Sequence, residues 1–469
     1  MASIIFFFIY FFVIQTTPTF AKNDITWWCD QTPYPKQCIH FMSHLKPKQK
    51  SEFQKMTIQI AKERAIIAHN NTISLGEKCQ NELEKAALVD CLTLYESTIF
   101  ELNKTLNPTK TNPTLFDLQT WLIISHISTD TFYKSGFPTW VTRHDRKLLQ
   151  ASSIGANLVV AQDRSGNFET INEAINASTK RVGSGRFVIH VKSRVYDENV
   201  VIGKNLKNIM LVGDGMQSTI ITGSRSNVGG FTTFNSVTVA VTGDGFIARG
   251  ITFRNTAGPQ NHQAVALRVS SDLSVFYQCG FEGYQDTLYA LSQRQFYREC
   301  NIYGTVDFIF GTAASVFQNC NMLVRKPLPS QENTVTAQGR SDPNQNTGIV
   351  IQNSKITATL ELKPVIGQFP TYLGRPWQQY SRTVVMESFL DNLINSAGLL
   401  EWNGNFALNT LFYGEYKNFG PGSSINGRVK WGGYKVITSP IEASQFSVAN
   451  FIGGQSWLPA TSVPFTVGV

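Results

Sequence analysis

Residues 276–322 carry one pattern three times: Phe276-Tyr277-Gln278-Cys279-Gly280-Phe281, Phe296-Tyr297-Arg298-Glu299-Cys300-Asn301-Ile302 and Phe317-Gln318-Asn319-Cys320-Asn321-Met322. The three cysteines are 21 and 20 residues apart. A repeat of that length, made of strand-like runs with no helix between them, suits a parallel β-helix in which each coil stacks on the one before. Successive coils then lie about 4.8 Å apart, so equivalent positions form ladders. Cysteines on neighbouring rungs fall inside the Cα separation of about 4.4–6.8 Å that a disulfide spans.

Two acidic residues share the register. Asp286 and Asp307 are 21 apart, each seven positions after its repeat cysteine, so the repeat places two carboxylates side by side on adjacent coils. Gln263 lies 22 residues before Gln285 and brings a further amide to the same face one coil earlier. Carboxylates that close push their pKa values apart, so one stays protonated while the other ionises. Amide donors beside them can hold a developing oxyanion. Such a group suits nucleophilic or acid–base attack on an ester or glycosidic bond. A solvated ladder of Asp and Asn at coil corners would give the same spacing without chemistry.

Outward from the repeat, strand-like runs separated by Gly, Asn and Asp turns continue from residue 150 onward, for example Phe187-Val188-Ile189-His190-Val191 and Thr219-Ile220-Ile221. Long amphipathic helices do not recur between them, which excludes a doubly wound sheet. Before residue 140 the periodicity is helical: Phe53, Met56, Ile60, Ala61, Arg64 and Ile67, then Leu83, Ala87, Leu94, Ile99 and Leu102, then Leu115, Leu118, Leu122 and Ile123. A small antiparallel helical bundle is the expectation there. The textures meet at Arg146-Lys147-Leu148-Leu149, a dibasic site followed by small polar residues that reads as exposed and cleavable.

The chain starts with an unbroken apolar run, Ile4 to Ile14, too short to span a bilayer and fitting a signal-peptide core with a cleavage site at Thr19-Phe20-Ala21. A secreted protein is expected, with its seven cysteines as disulfide candidates and the sequons at Asn70, Asn103 and Asn176 open to glycosylation. The hydrophobic fraction of 42% excludes a disordered chain. The net charge of +8 is spread without a dense Lys/Arg run, which argues against nucleic acid and suits an acidic polymer. No Cys-x-x-Cys pair, nucleophile elbow, Walker loop or dinucleotide fingerprint occurs, and no metal or cofactor is called for.

Several motifs in order carry a family resemblance: Gly230-Phe231-Thr232-Thr233-Phe234, Asn255-Thr256-Ala257-Gly258-Pro259, His262-Gln263-Ala264-Val265-Ala266-Leu267-Arg268, Tyr284-Gln285-Asp286-Thr287-Leu288, Ile302-Tyr303-Gly304-Thr305-Val306-Asp307-Phe308-Ile309-Phe310-Gly311 and Leu373-Gly374-Arg375-Pro376-Trp377. Residues from about 156 onward resemble plant pectin methylesterases, and residues 22–145 resemble the inhibitor-like pro-region that precedes them. The resemblance implies a right-handed parallel β-helix over 156–469, a four-helix-bundle pro-region over 22–145, a signal peptide over 1–21 and a processing linker over 146–155. It implies a secreted, monomeric cell-wall enzyme that removes methyl groups from homogalacturonan and needs no cofactor. Its partners would be the polysaccharide, a processing protease acting at Arg146-Lys147-Leu148-Leu149 and a proteinaceous inhibitor.

By the same resemblance, Asp307 is the nucleophile, Asp286 the acid and then the base, Gln285 and Gln263 hold the oxyanion, and Arg375 pairs with Asp307. Trp377 would offer a face to a sugar ring and Thr233 a hydrogen bond. A Cys300–Cys320 bridge is also implied, with Cys279 reduced, and Cys29–Cys38 can close a hairpin. There are departures. Arg194 stands where the family has a turn glycine, and a positive φ there would be strained. Phe132 stands where the family has the cysteine that pairs with the equivalent of Cys91, so Cys91 must find Cys79 or remain free. Two rival readings remain on sequence grounds: a pectin-cleaving hydrolase or lyase on the same architecture, and a non-catalytic wall-binding or inhibitor protein.

Overall fold

The computed structural model describes residues 25–30, 32, 35–74, 82–107 and 155–469. The signal segment, the processing site, Cys79 and the Cys91 side chain, and the third helical stretch at 115–123 lie outside the described residues.

Toward the N-terminus, a pair of short helices, α1 (Ile25–Asp30) and α2 (Pro35–Met42), precedes a pair of long ones, α3 (Lys50–Ile73) and α4 (Glu82–Leu106). A Cys29–Cys38 disulfide joins the short pair. Lys62 Nζ donates to Asn103 Oδ1, and His69 lies beside Glu96, so the long pair runs antiparallel. Ile58, Ala61, Ala65 and Leu102 form its buried seam. A four-helix bundle is not complete within these residues, because the helix expected after residue 113 lies beyond them.

From Leu158 the chain winds through three sheets of 11, 7 and 8 strands in which successive coils contribute one strand to each. The pairings are parallel, as in Phe276↔Tyr297↔Phe317 and Leu267↔Leu288↔Ile309. The arrangement is consistent with a parallel β-helix. One inward row of the 11-stranded sheet reads Ile189, Leu211, Ala248, Phe276, Tyr297, Phe317, Ile351 and Val385, all buried. Its aromatic members stack ring on ring, with centroids 4.9 Å apart for Phe276–Tyr297 and 4.3 Å for Tyr297–Phe317. Helix α5 (Ile171–Ser178), opened by a Thr170/Glu173 capping box, buries Ile171, Ala174 and Ile175 at the start of this core.

The outer face of the same sheet is apolar too: Val188, Met210, Ile247, Val275, Phe296, Val316, Val350 and Val384. The C-terminal segment covers it with Phe446, Val448, Phe451, Trp457 and Leu458. Parallel strands buried on both faces read as continuous hydrophobic runs, as these do. The 7-stranded sheet is different. Its outward row is Val201, Ala240, Arg268, Tyr289, Phe310, Ala337 and Arg375, aromatic and charged in the middle.

The corners explain how non-glycine residues make the turns. Gly250, Gln278, Glu299, Asn319, Asn353, Glu387 and Lys417 follow successive strands of the 11-stranded sheet, and each has φ between 49° and 64°. At each of these corners a left-handed residue turns the chain into the next sheet. Arg194 is not among the residues with positive φ; it is the exposed first residue of strand Arg194–Asp197, so the strain expected from replacing glycine there does not arise.

The residue after each corner builds a ladder. Cys300 N–H donates to Cys320 Sγ at 3.5 Å, Cys320 N–H to Ser354 Oγ at 3.0 Å, Ser354 N–H to Ser388 Oγ at 3.1 Å and Ser388 N–H to Asn418 Oδ1 at 3.1 Å. Cys279, Cys300 and Cys320 are therefore three free, buried thiols, and the Cys300–Cys320 bridge is not formed. Rungs in register send their side chains in parallel, whereas a disulfide needs Cβ atoms that converge with a dihedral near a right angle. Among the described residues, no helix is long and apolar enough to cross a membrane.

Candidate active site

Asp286 and Asp307 occupy the same corner of successive coils, each two residues before a strand, and the register Leu288↔Ile309 sets them level. Asp286 N–H donates to Val306 O at 3.0 Å, tying the two corners together. Both aspartates are left-handed, with φ of 62° and 51°. Aspartate is among the few non-glycine residues that tolerate this region. Both are buried, at 8% and 6% exposure.

Their surroundings differ. Arg375 grips Asp307 with two bonds, Nε to Oδ1 at 2.8 Å and Nη2 to Oδ2 at 2.7 Å. This is the bidentate geometry that makes guanidinium–carboxylate pairs strong. Thr334 Oγ1 donates to Asp307 Oδ1 at 2.6 Å and accepts the Asp307 N–H at 2.8 Å. Among the described residues, Asp286 has no such donors to its carboxyl. Burial raises its pKa well above the ordinary carboxylate value, the charge of Asp307 adds to this, and Arg375 only partly opposes it. The pair therefore holds one carboxylate clamped by a cation and one carboxyl pushed toward its protonated form.

Arg375 is held from other sides as well. Its guanidinium carbon lies 4.5 Å from the centroid of the Trp402 ring, and Tyr413 OH donates to its backbone carbonyl at 2.7 Å. Burial works most strongly against its charge, but the hydrogen bonds to Asp307 together with the charges of Asp307, Asp286 and Glu332 outweigh that and leave its pKa above the ordinary arginine value.

The amides lie on the preceding coils. Ala264 N–H donates to the Gln285 carbonyl at 3.2 Å, and Asn227 N–H to the Gln263 carbonyl at 2.9 Å. The strand register Leu267↔Leu288 is a step of 21, so Gln263 sits one residue out of line with Gln285. Gln285 Oε1 is buried without a hydrogen-bond partner among the described residues. Thr233 lies in the loop before strand Val239–Val241; its carbonyl accepts from Ser236 Oγ at 2.9 Å, and its hydroxyl makes no hydrogen bond among the described residues.

Trp377 is half-buried against Tyr289 and Phe310, edge-on at 6.5 and 6.1 Å between centroids. Its ring lies over Gly339, where a Cβ would come within 2.7 Å of Cε3. The site is thus an aromatic floor on the 7-stranded sheet with the aspartate pair at its edge.

The structure brings Asp286, Asp307 and Arg375 together as the repeat and the resemblance anticipated. Sequence reasoning missed Thr334, Trp402 and Tyr413. Thr334 follows Asp307 by 27 residues, because the loop at 325–332 lengthens that coil past the 21-residue repeat. Trp402 and Tyr413 belong to later coils in which no repeat motif survives.

Comparison with known proteins agrees with this geometry. A family model described as pectinesterase matches residues 157–455, and one described as plant invertase/pectin methylesterase inhibitor matches residues 23–131. Pectinesterase 2 of Citrus sinensis is 54% identical, with 98% of each chain covered. A probable pectinesterase/pectinesterase inhibitor 17 of Arabidopsis thaliana is 52% identical, with 97% of each covered. Among solved structures, pectin methylesterase from carrot superposes with a TM-score of 0.67 at 58% identity, covering 68% of this chain and all of that one. With residues 157–455 matched by the pectinesterase model, residues 23–131 by the inhibitor model and a relative 54% identical over 98% of each chain, the chain belongs to the pectinesterase family and carries an N-terminal domain of the pectin methylesterase inhibitor family.

Proposed function

We propose that the chain is a secreted, cell-wall pectin methylesterase in which Asp307 is the nucleophile. The observation that carries this reading is the pairing of a clamped carboxylate, Asp307 with Arg375, beside a buried carboxyl biased toward protonation, Asp286. The arrangement suits a two-step ester hydrolysis. Asp307 bonds to the carbonyl carbon of a methyl galacturonate, and the carbonyl π electrons move onto its oxygen, which the Gln285 and Gln263 amides stabilise. The tetrahedral centre collapses, the C–OCH3 bond breaks, and methoxide takes the Asp286 proton to leave as methanol. Asp286, now ionised, removes a proton from water, which attacks the acyl-enzyme and frees Asp307. Trp377 and Thr233 would hold the sugar.

The domain plan belongs to the same proposal: a signal peptide over 1–21, a four-helix pro-region over 22–145, a processing linker over 146–155 cut after Leu149, and a right-handed β-helix over 156–469 that works as a monomer. The sequon asparagines Asn70, Asn103 and Asn176 are all exposed, which suits glycosylation. A methanol assay on highly methylated pectin, run beside viscosity and ultraviolet absorbance, tests the reading. The enzyme cleaved after Leu149 should release methanol without shortening the polymer or forming unsaturated ends, and the uncleaved chain should be slow. Chain scission without methanol would overturn the esterase reading, and equal rates for the two forms would remove the autoinhibitory role of the pro-region.

A further inference from the structure

We propose that Thr334 selects the attacking atom of Asp307. Its hydroxyl and Arg375 Nε together occupy Oδ1 and leave Oδ2 as the oxygen that bonds to the ester carbon. This rests on the reading of Asp307 as the nucleophile and adds to it a positioning residue and an atom.

Hydrogen-bond direction decides the point. The Asp307 N–H can only donate, so at 2.8 Å it takes up an acceptor lone pair of Thr334 Oγ1. The single hydroxyl hydrogen is then directed at Asp307 Oδ1, 2.6 Å away. Thr334 is completely buried, so water does not compete for that hydrogen. The result is a clasp between the backbone and the side chain of one residue, closed by a threonine on the next coil, at a corner whose φ is 51°.

A carboxylate oxygen offers two in-plane lone pairs. Oδ1 receives two donors, Thr334 Oγ1 and Arg375 Nε, and is saturated. Oδ2 receives one among the described residues, Arg375 Nη2, and keeps a lone pair for bond formation. Attack through Oδ2 forms the Oδ2–C bond while the carbonyl π pair moves to its own oxygen. The charge that leaves the carboxylate is drawn from an oxygen still held by Arg375, and Oδ1 becomes the carbonyl oxygen of the acyl-enzyme with both donors in place. Thr334 touches neither methanol nor sugar in this scheme; it acts through Asp307.

The test is kcat and KM on methyl-esterified pectin, with the thermal midpoint, for Thr334→Val, Thr334→Ala and Thr334→Ser in the isolated enzyme. Loss of a hydrogen bond to a charged acceptor should lower kcat of the Val and Ala variants roughly ten- to a hundred-fold with KM within about twofold of the parent. Thr334→Ser keeps the hydroxyl and should stay within about threefold of the parent kcat. Parental kcat in Thr334→Ala, a loss expressed in KM, or a Ser variant as slow as the Ala variant would overturn the assignment. If Thr334→Val does not fold, the Ala and Ser variants still separate the two outcomes. Asp307→Asn distinguishes the two levels: turnover retained there removes the nucleophile reading itself, whereas an inactive Asp307→Asn beside a fully active Thr334→Ala removes only the role of Thr334.

Discussion

Asp286 and Asp307 have the same backbone conformation and the same place in their coils, and what separates them is donors. Asp307 accepts three hydrogen bonds from Arg375 and Thr334, while Asp286 is buried with none to its carboxyl among the described residues. The consequence is measurable in stability. The folded-state pKa of Asp286 is raised, whereas in the unfolded chain it sits near the ordinary value of 3.8. Above that value the unfolded chain loses its proton while the folded chain keeps it, so stability falls as pH rises through the folded pKa. Asparagine carries no such penalty and tolerates the left-handed corner. Asp286→Asn should therefore match the parent near about pH 4 and exceed its melting temperature by about 2–4 °C at neutral pH, while losing activity. A melting difference that does not grow with pH would contradict this. The spacing of 21 made the aspartate pair legible in the sequence. The difference between its members was not, because Arg375 and Thr334 come from coils of other lengths, at 68 and 27 residues from Asp307.

At the scale of the element, the cysteine ladder shows what periodicity conveys and what it leaves out. The repeat located the rungs correctly, and Ser354, Ser388 and Asn418 continue them after the cysteine pattern stops. Direction was missing: in-register rungs point the same way, so adjacency within disulfide range does not become a bond. Cys320, Ser354, Ser388 and Asn418 instead each accept the amide N–H of the preceding rung, while the Cys279 and Cys300 thiols point at backbone carbonyls. Alkylation of the unfolded protein without reductant, followed by peptide mass spectrometry, should find Cys279, Cys300 and Cys320 labelled and Cys29 and Cys38 unlabelled. A Cys300–Cys320 linked peptide in freshly purified protein would contradict the ladder. The left-handed corners were equally hidden, because Gln278, Glu299, Glu387 and Lys417 are not residues that announce a positive φ.

For the whole molecule, stacking is what turns a one-dimensional repeat into a site. One sheet is sealed on both faces, by the coil interior and by the C-terminal segment around Phe446, Phe451 and Trp457. The 7-stranded sheet keeps its outward row of Arg268, Tyr289, Phe310 and Arg375, and the aspartate corners stand at its edge. The helix-to-strand change of texture was readable from hydrophobic spacing, and the stacked parallel coils from the 20- and 21-residue repeat. The cover over the 11-stranded sheet was not, because its helices, Pro440–Ser444 and Val448–Phe451, are too short to show a period. The most direct test of the esterase centre is methanol release from methylated pectin by Asp307→Asn, compared with the parent at equal melting temperature. The expected result is a fall of at least about a thousandfold, the scale on which removing a covalent nucleophile acts. A rate within about tenfold of the parent would contradict the nucleophilic role given to Asp307.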